Sequence, residues 1–212
     1  EIVITRGGFQ GRKVMGKQYK VNGVGRQQQK FAGNLRVVWF GPEDLDLISG
    51  SAARRRSYLD EIGRQMDREY ERALKDYEDA LKRRNKLLDL LAEGKVTRNA
   101  FAYFDQIIVN AGKYLQLKRN ELIKMLNEWL VDDVNFRLFR LKYDESKISW
   151  ERLKQYEEQE VRVGNTLVGP HKDNLIVEMD FGGENYQLLE KYGSRGQMRI
   201  GSLALKLGEL EV

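Results

Sequence analysis

The stretch Tyr192-Gly193-Ser194-Arg195-Gly196-Gln197-Met198-Arg199 holds the residues best placed to do chemistry. It leads into a helical pattern with apolar residues at Ile200, Leu203, Leu207 and Leu210. Ser194 and Gln197 have the S-x-x-Q spacing of a capping box, in which each side chain satisfies a backbone amide at the helix start. Gly196 brings no Cβ, so another molecule has room to approach its backbone. A helix start with free amides, a serine hydroxyl and the cations Arg195 and Arg199 attracts anions, because the aligned peptide dipoles leave positive charge at that end. The same residues also suit an ordinary capped helix packed in a core, and spacing alone leaves both readings open.

A second candidate fails on physical grounds. Gly11-Arg12-Lys13-Val14-Met15-Gly16-Lys17 matches the G-x-x-x-x-G-K spacing of a phosphate-binding loop. That loop needs Ser or Thr next, to hold magnesium, and must open a helix whose amides face the phosphates. Gln18 stands there instead, and Lys17–Val21 alternates toward Asn22-Gly23, which is hairpin chemistry. Gly23-Val24-Gly25 is followed by Gln28 where a dinucleotide fingerprint needs glycine.

Two basic runs, Arg54-Arg55-Arg56 and Lys82-Arg83-Arg84, are candidates for contact with DNA phosphates, which is sequence-blind and salt-sensitive. A solvated helix face accounts for them equally well, and Arg55 and Arg56 also suit structural pairing with Asp60 or Glu43. His171, the sole histidine, suits a local hydrogen bond better than catalysis, having no nucleophile beside it. With no cysteine in 212 residues, thiolate catalysis, disulfides and Cys/His zinc sites are excluded. The net charge of +5 permits a nucleic-acid partner without requiring one. No apolar run approaches the ~18 residues of a membrane span, and a cytoplasmic location is the default expectation. Glu1 opens directly in a strand pattern and Val212 closes inside a helical one, which suggests a segment of a larger protein.

Three zones position these residues. Residues 1–51 read as β-rich, with a strand at Glu1–Thr5, the hairpin turn at Asn22-Gly23 and a buried strand at Leu35–Phe40. Residues 52–135 read as an antiparallel helical hairpin. In its first helix Leu59, Met66, Ala73, Ala80 and Leu87 recur every seven residues, as do Leu74, Leu81 and Leu88. A third row, Tyr70, Tyr77 and Leu91, is broken only by Arg84. Glu71–Lys75, Glu78–Lys82 and Asp79–Arg83 have the favourable acid-first i,i+4 order. Glu93-Gly94-Lys95 breaks the pattern, and Thr97 suits the next N-cap. Phe101, Ile108, Leu115, Leu122 and Trp129 then form the facing seam. At 1.5 Å per residue each helix reaches about 50 Å at most, a short arm. Residues 136–212 return to β-like structure at Phe136–Tyr143 and Asn174–Phe181, with a helix near Ile148–Glu160 and the final helix. The expected class is α+β, with a helical arm inserted between β-containing flanks.

Four blocks in order resemble the RecF family, a branch of the ABC-type ATPases. Gly193-Ser194-Arg195-Gly196-Gln197, Arg199 and Leu203-Ala204-Leu205-Lys206-Leu207-Gly208-Glu209-Leu210 resemble its signature motif. Phe40-Gly41-Pro42-Glu43-Asp44-Leu45 resembles its Phe-Ser-Pro-Glu-Asp-Leu stretch near the Q-loop. Gly50 to Asp60 resembles Gly-Ser-Pro-x-x-Arg-Arg-x-Phe-Leu-Asp, and Thr166 to Leu175 resembles Thr-x-x-Gly-Pro-His-Arg-Asp-Asp-Leu. Ala52, Gly41, Lys172, Asn174 and Arg195 depart from those patterns. In that family a phosphate loop precedes this segment and an acidic strand follows it; neither is expected within this chain. The short arm separates it from the SMC group.

The resemblance implies a partial ABC-ATPase-like lobe and an ATP-dependent DNA-binding protein of recombinational repair and replication. ATP with Mg2+ would sit between two copies, with Ser194, Arg195, Gly196 and Gln197 contacting the partner's γ-phosphate and Pro42 and Glu43 in the Q-loop region. Single-strand/duplex DNA junctions, RecR and RecO are the implied partners, and hydrolysis in the family is slow. This chain alone is expected to be inactive. A non-enzymatic helical interaction module and an ATP-independent nucleic-acid binder stand as alternatives.

Overall fold

Asn22 and Gly23 take φ values of 50° and 80°, the paired positive angles that a two-residue hairpin turn requires. The turn joins β2 (Arg12–Val21) to β3 (Val24–Arg26), and β2 pairs antiparallel with β1 (Ile2–Phe9), from Ile2↔Tyr19 to Phe9↔Arg12. The computed structural model describes residues 2–9, 12–27 and 38–212. Its chain divides into two compact units, 1–38 and 39–212. The first unit is the three-stranded antiparallel sheet β1-β2-β3. Residues 12–17 of the phosphate-loop look-alike are strand, as the alternation requires; its Gly11 lies outside the described residues.

The expected strand at Leu35–Phe40 needs correction where it is described. Residues 35–37 lie outside the described residues, and 38–40 have no regular structure. Trp39 is 70% exposed and Phe40 48%. Residues 38–40 belong to neither described sheet. Pro42 then starts a 3-10 turn, Pro42–Leu45, that runs into the short helix α1 (Asp46–Ser49).

The expected long first helix is two helices, α2 (Ala52–Met66) and α3 (Arg68–Ala92). Asp67 leaves helical geometry (φ −143°, ψ 117°), and its carboxylate accepts from the Glu69 amide at 2.8 Å and from the Tyr114 hydroxyl at 2.6 Å. An aspartate is worth more as an N-cap than inside a helix. The chain turns so tightly here that Tyr70 lies on Gly63, where a Cβ would stand 2.7 Å from the ring. The heptad row through Leu59 and Met66 therefore does not continue on one surface, and Met66 is exposed.

After the Gly94 turn, residues 98–101 form a 3-10 lead into α4 (Ala102–Asp132), antiparallel to α3. Next come β4 (Phe139–Asp144), α5 (Trp150–Val163), β5 (Asn174–Asp180), β6 (Tyr186–Leu188), the single turn α6 (Leu189–Tyr192) and α7 (Arg195–Glu211). The second sheet is antiparallel in the order β4-β5-β6.

α4 serves two cores. Its N-terminal half (Ile108, Val109, Leu115) packs with Tyr70, Leu74 and Tyr77 of α3, with Ile148, with Leu153 of α5 and with Val168. Its C-terminal half (Leu122, Ile123, Leu126, Leu130) packs with β4, β5, α1, α2 and α7. Phe101, Ile108, Leu115 and Leu122 are buried, as their spacing predicts. α5 lies along the hairpin as a third helix. Apolar surface removed from water at about 25 cal/mol per Å2 holds both cores together.

Candidate functional site: the capped start of α7

Leu189 of α6 fixes where the site stands. It is fully buried and sits between two glycines, since a Cβ on either Gly193 or Gly201 would come within 2.6 Å of it. Ser194 follows as the N-cap of α7, with extended backbone (φ −67°, ψ 161°). The capping box expected from S-x-x-Q is present. The Gln197 amide donates to Ser194 Oγ at 3.3 Å, and the Ser194 amide donates to Gln197 Oε1 at 2.7 Å.

Ser194, Arg195 and Gly196 are exposed and Gln197 is half-buried. A Cβ placed on Gly196 would meet nothing nearer than Ser194 Oγ at 3.9 Å. Among the described residues the amides of Arg195 and Gly196 have no acceptor, as first-turn helix amides lack one by geometry. The Ser194 hydroxyl and the Gln197 Nε2 group are further donors, and the exposed Arg195 and Arg199 guanidinium groups form no ion pair among the described residues. Such a set offers hydrogen-bond donors and positive charge. It fits an anion such as phosphate and does not fit a metal ion. Among the described residues no cluster of three His, Asp or Glu is placed to hold a metal.

The buried face of α7 differs from the row of large side chains in its sequence. Ile200 is 47% exposed and Leu210 62%, whereas Gly201, Ser202, Ala204, Leu205, Lys206 and Gly208 are buried. Four of these six residues are small because α7 packs closely: a Cβ on Gly208 would lie 3.0 Å from Leu126, and the Tyr58 hydroxyl reaches Leu205 O at 2.7 Å.

The other candidate residues fall into three environments. Pro42 and Glu43 are exposed in the 3-10 turn, while Asp44 of the same turn is buried, accepting from the Gly41 amide at 2.8 Å and pairing with Arg54 of α2 at 3.4 Å. Arg55 is buried and donates to Asn174, Ile48 O, Gly50 O and Glu190, so it is corrected from a DNA contact to a structural tie; its partners are neither Asp60 nor Glu43. Arg56 donates to Asp173 O at 2.8 Å.

Arg84 is corrected likewise. It is 2% exposed and bonds Asp105 at 2.6 Å, Glu160 at 2.7 Å and Thr166 at 2.8 Å. A charge so enclosed cannot reach a phosphate. Lys82 and Arg83 stay exposed, on the face of α3 opposite Tyr77. With Arg68, Arg72, Lys75 and Lys86 they lie within about 60° of one helix line, some 27 Å long. None of the six forms an ion pair among the described residues, and the expected pairs Glu71–Lys75, Glu78–Lys82 and Asp79–Arg83 do not close.

Sequence reasoning missed a buried polar centre elsewhere in the same unit. Arg119 of α4, 2% exposed, donates to Asp60 at 2.8 Å, to Pro170 O at 2.8 Å and to Asp173 at 3.2 Å. The Tyr70 hydroxyl also donates to Asp60, and Tyr143 and Gln116 donate to Asp173. Burial opposes the Arg119 charge, but Tyr70, Asp60 and Tyr143 outweigh it and its pKa lies above the ordinary guanidinium value. A sequence signal existed: Arg119 lies between Leu115 and Leu122 on the inward face of α4. His171 makes the local bonds expected of it. Its Nδ1 accepts from the Tyr77 hydroxyl at 2.7 Å, and its Nε2 donates to Thr166 O at 2.9 Å. Burial pulls its pKa down to about 4, so the ring is neutral near pH 7.

The four blocks singled out in the sequence are thus physically joined. No described helix is long and apolar enough to cross a membrane. No family model matches the chain. The chain is similar to proteins described as "DNA replication and repair protein RecF": 36% identical over 230 residues to that of Thermomicrobium roseum, covering 92% of this chain and 56% of the relative. For Halalkalibacterium halodurans the identity is 36% over 220 residues (93% and 57%), and for Herpetosiphon aurantiacus 33% over 214 residues (92% and 53%). The chain spans about half the length of the curated relatives it matches. A solved structure of the recombination mediator protein RecF-ATPrS in the RecFOR pathway matches with a TM-score of 0.75 at 26% identity, covering 95% of this chain and 56% of that one. In sequence, order of blocks and fold, the chain belongs to the RecF family.

Proposed function

We propose that this chain is the signature-bearing and arm-bearing part of an ATP-dependent DNA-binding protein of recombinational repair, in which two copies pair around ATP. The observation that carries the proposal is the start of α7. Free amides at Arg195 and Gly196, the Ser194 hydroxyl and two arginines without an ion pair among the described residues surround open space, and the similar solved structures are of RecF with ATP and ATPrS. When bound, ATP supplies a triphosphate anion that two copies share. Ser194, Arg195, Gly196 and Gln197 hold its terminal phosphate by donating hydrogen bonds, which strengthen as pairing excludes water. The capping box has a positioning role: it locks the Ser194 rotamer and the first turn before the anion arrives.

DNA is held by phosphate contacts from the exposed cations of α3, Lys82 and Arg83 among them, at single-strand/duplex junctions. Mg2+ would accompany the bound ATP, coordinated in part by its phosphate oxygens. RecR and RecO are the proposed protein partners, in keeping with the pathway named for the similar structure.

The test is the oligomeric state of the gene's full-length product with a non-hydrolysable ATP analogue. The wild type is expected to pair on addition of the analogue. Ser194→Arg fills the open space with a large side chain and is expected to prevent pairing while leaving the fold intact. Unaltered pairing by that variant would remove the assigned role.

A further inference from the structure

Arg55 is a buried cation with one carboxylate partner. Its side chain is 9% exposed and donates to Asn174 Oδ1 at 2.9 Å, Gly50 O at 2.9 Å, Ile48 O at 3.3 Å and Glu190 Oε2 at 3.4 Å. Asn174 is neutral, so among the described residues Glu190 alone balances the Arg55 charge by direct pairing. The two ends differ in setting, because the Glu190 side chain is 47% exposed.

Glu190 lies in α6, the single turn that ends one residue before Gly193 and the Ser194 cap. Two of its side chains tie it to neighbouring elements. Leu189 is wedged between Gly193 and Gly201, and Glu190 reaches across to Arg55. Arg55 in turn grips the carbonyls at the end of α1, in the segment that follows Pro42 and Glu43. The 41–50 segment and α7 share an apolar core through Leu47, Ile48, Leu189, Ala204 and Leu205, and the Arg55–Glu190 ion pair adds a breakable polar tie between that segment and the turn that precedes Ser194.

We propose that Arg55 and Glu190 form a latch that sets the 193–197 turn against the 41–50 segment, and that ATP-dependent pairing depends on it. Both are positioning residues, since neither is placed to touch the phosphate. The latch rests on the reading of Ser194–Gln197 as the phosphate cradle. Loss of a charge-assisted bond to a buried partner frees the turn to sample other positions, and only one position suits the partner's nucleotide.

The test uses the full-length product, a non-hydrolysable ATP analogue, and two readouts, pairing affinity and thermal stability. Glu190→Gln is expected to weaken analogue-driven pairing about tenfold. In the double variant Glu190→Gln/Asn174→Asp a carboxylate is returned to Arg55 from β5, away from α6. Melting temperature should then recover while pairing stays weak. Wild-type pairing by Glu190→Gln would overturn the latch. So would recovery of pairing together with stability in the double variant, because the ion pair would then be purely structural. Ser194→Arg serves as the control. If it pairs like wild type, the cradle reading falls and takes the latch with it; if it fails to pair while Glu190→Gln pairs normally, the latch alone is wrong.

Discussion

Arg119 and Arg84 sit on the inner faces of α4 and α3, enclosed by carboxylates and carbonyls, whereas Arg195 and Arg199 flank the start of α7 in solvent with no ion pair among the described residues. Residue type is the same in both regions, and their environments assign opposite work. A buried guanidinium must have its donors satisfied within the protein, because the cost of an unpaired buried charge runs to several kcal/mol. The Arg119 centre does this by tying α2, α4, β4 and the Pro170–Asp173 turn together. The exposed pair can remain unsatisfied in water at little cost and is therefore free to meet an anion. The family blocks divide in the same way: those around Asp60 and Asp173 are interior joints, and the one at Ser194 faces outward.

Substitutions that treat the two regions alike should give sharply different results. Arg119→Leu leaves Asp60 and Asp173 buried without their cation and is expected to cost on the order of 3–5 kcal/mol in urea unfolding. A loss below about 1 kcal/mol would erase the contrast. Next comes acid. The His171 pKa is down at about 4 when folded, against about 6.5 in an unfolded chain. Between those values the unfolded state binds more protons, so stability should fall as pH drops from about 6.5 toward 4 and this contribution should flatten below that. His171→Gln should show a shallower fall over that window; an identical slope would clear His171 of it.

At the exposed region the effects on stability are smaller. Ser194→Ala removes one half of the capping box and should cost about 1 kcal/mol, typical of a lost N-cap. A cost near 3 kcal/mol would place this turn with the buried centre. The smallest effect on folding is expected for Lys82→Ala/Arg83→Ala, within about 0.5 kcal/mol. In the same variant the log–log salt slope of DNA binding should fall by about 2, one unit per lost phosphate contact. An unchanged slope in that assay would leave the outer face of α3 as a solvated surface.

Local chemistry was legible wherever a short run of residues decides it. The Asn22-Gly23 turn, the Ser194–Gln197 box and the seam of Phe101, Ile108, Leu115 and Leu122 each follow from spacing, since turn angles, caps and helix faces are set by neighbours in the chain. The order of the four blocks likewise gave the family. Only the tertiary structure decided which cations are interior. Lys82, Arg83 and Arg84 are consecutive, yet α3 turns the last of them toward Glu160 and Asp105, residues distant in sequence. It also decided that Asp67 ends one helix and starts another, and that α7 buries its small residues and exposes Ile200 and Leu210. The physical reason is the same each time. Desolvation and close packing depend on what the rest of the chain brings to a residue, and linear spacing carries no record of that.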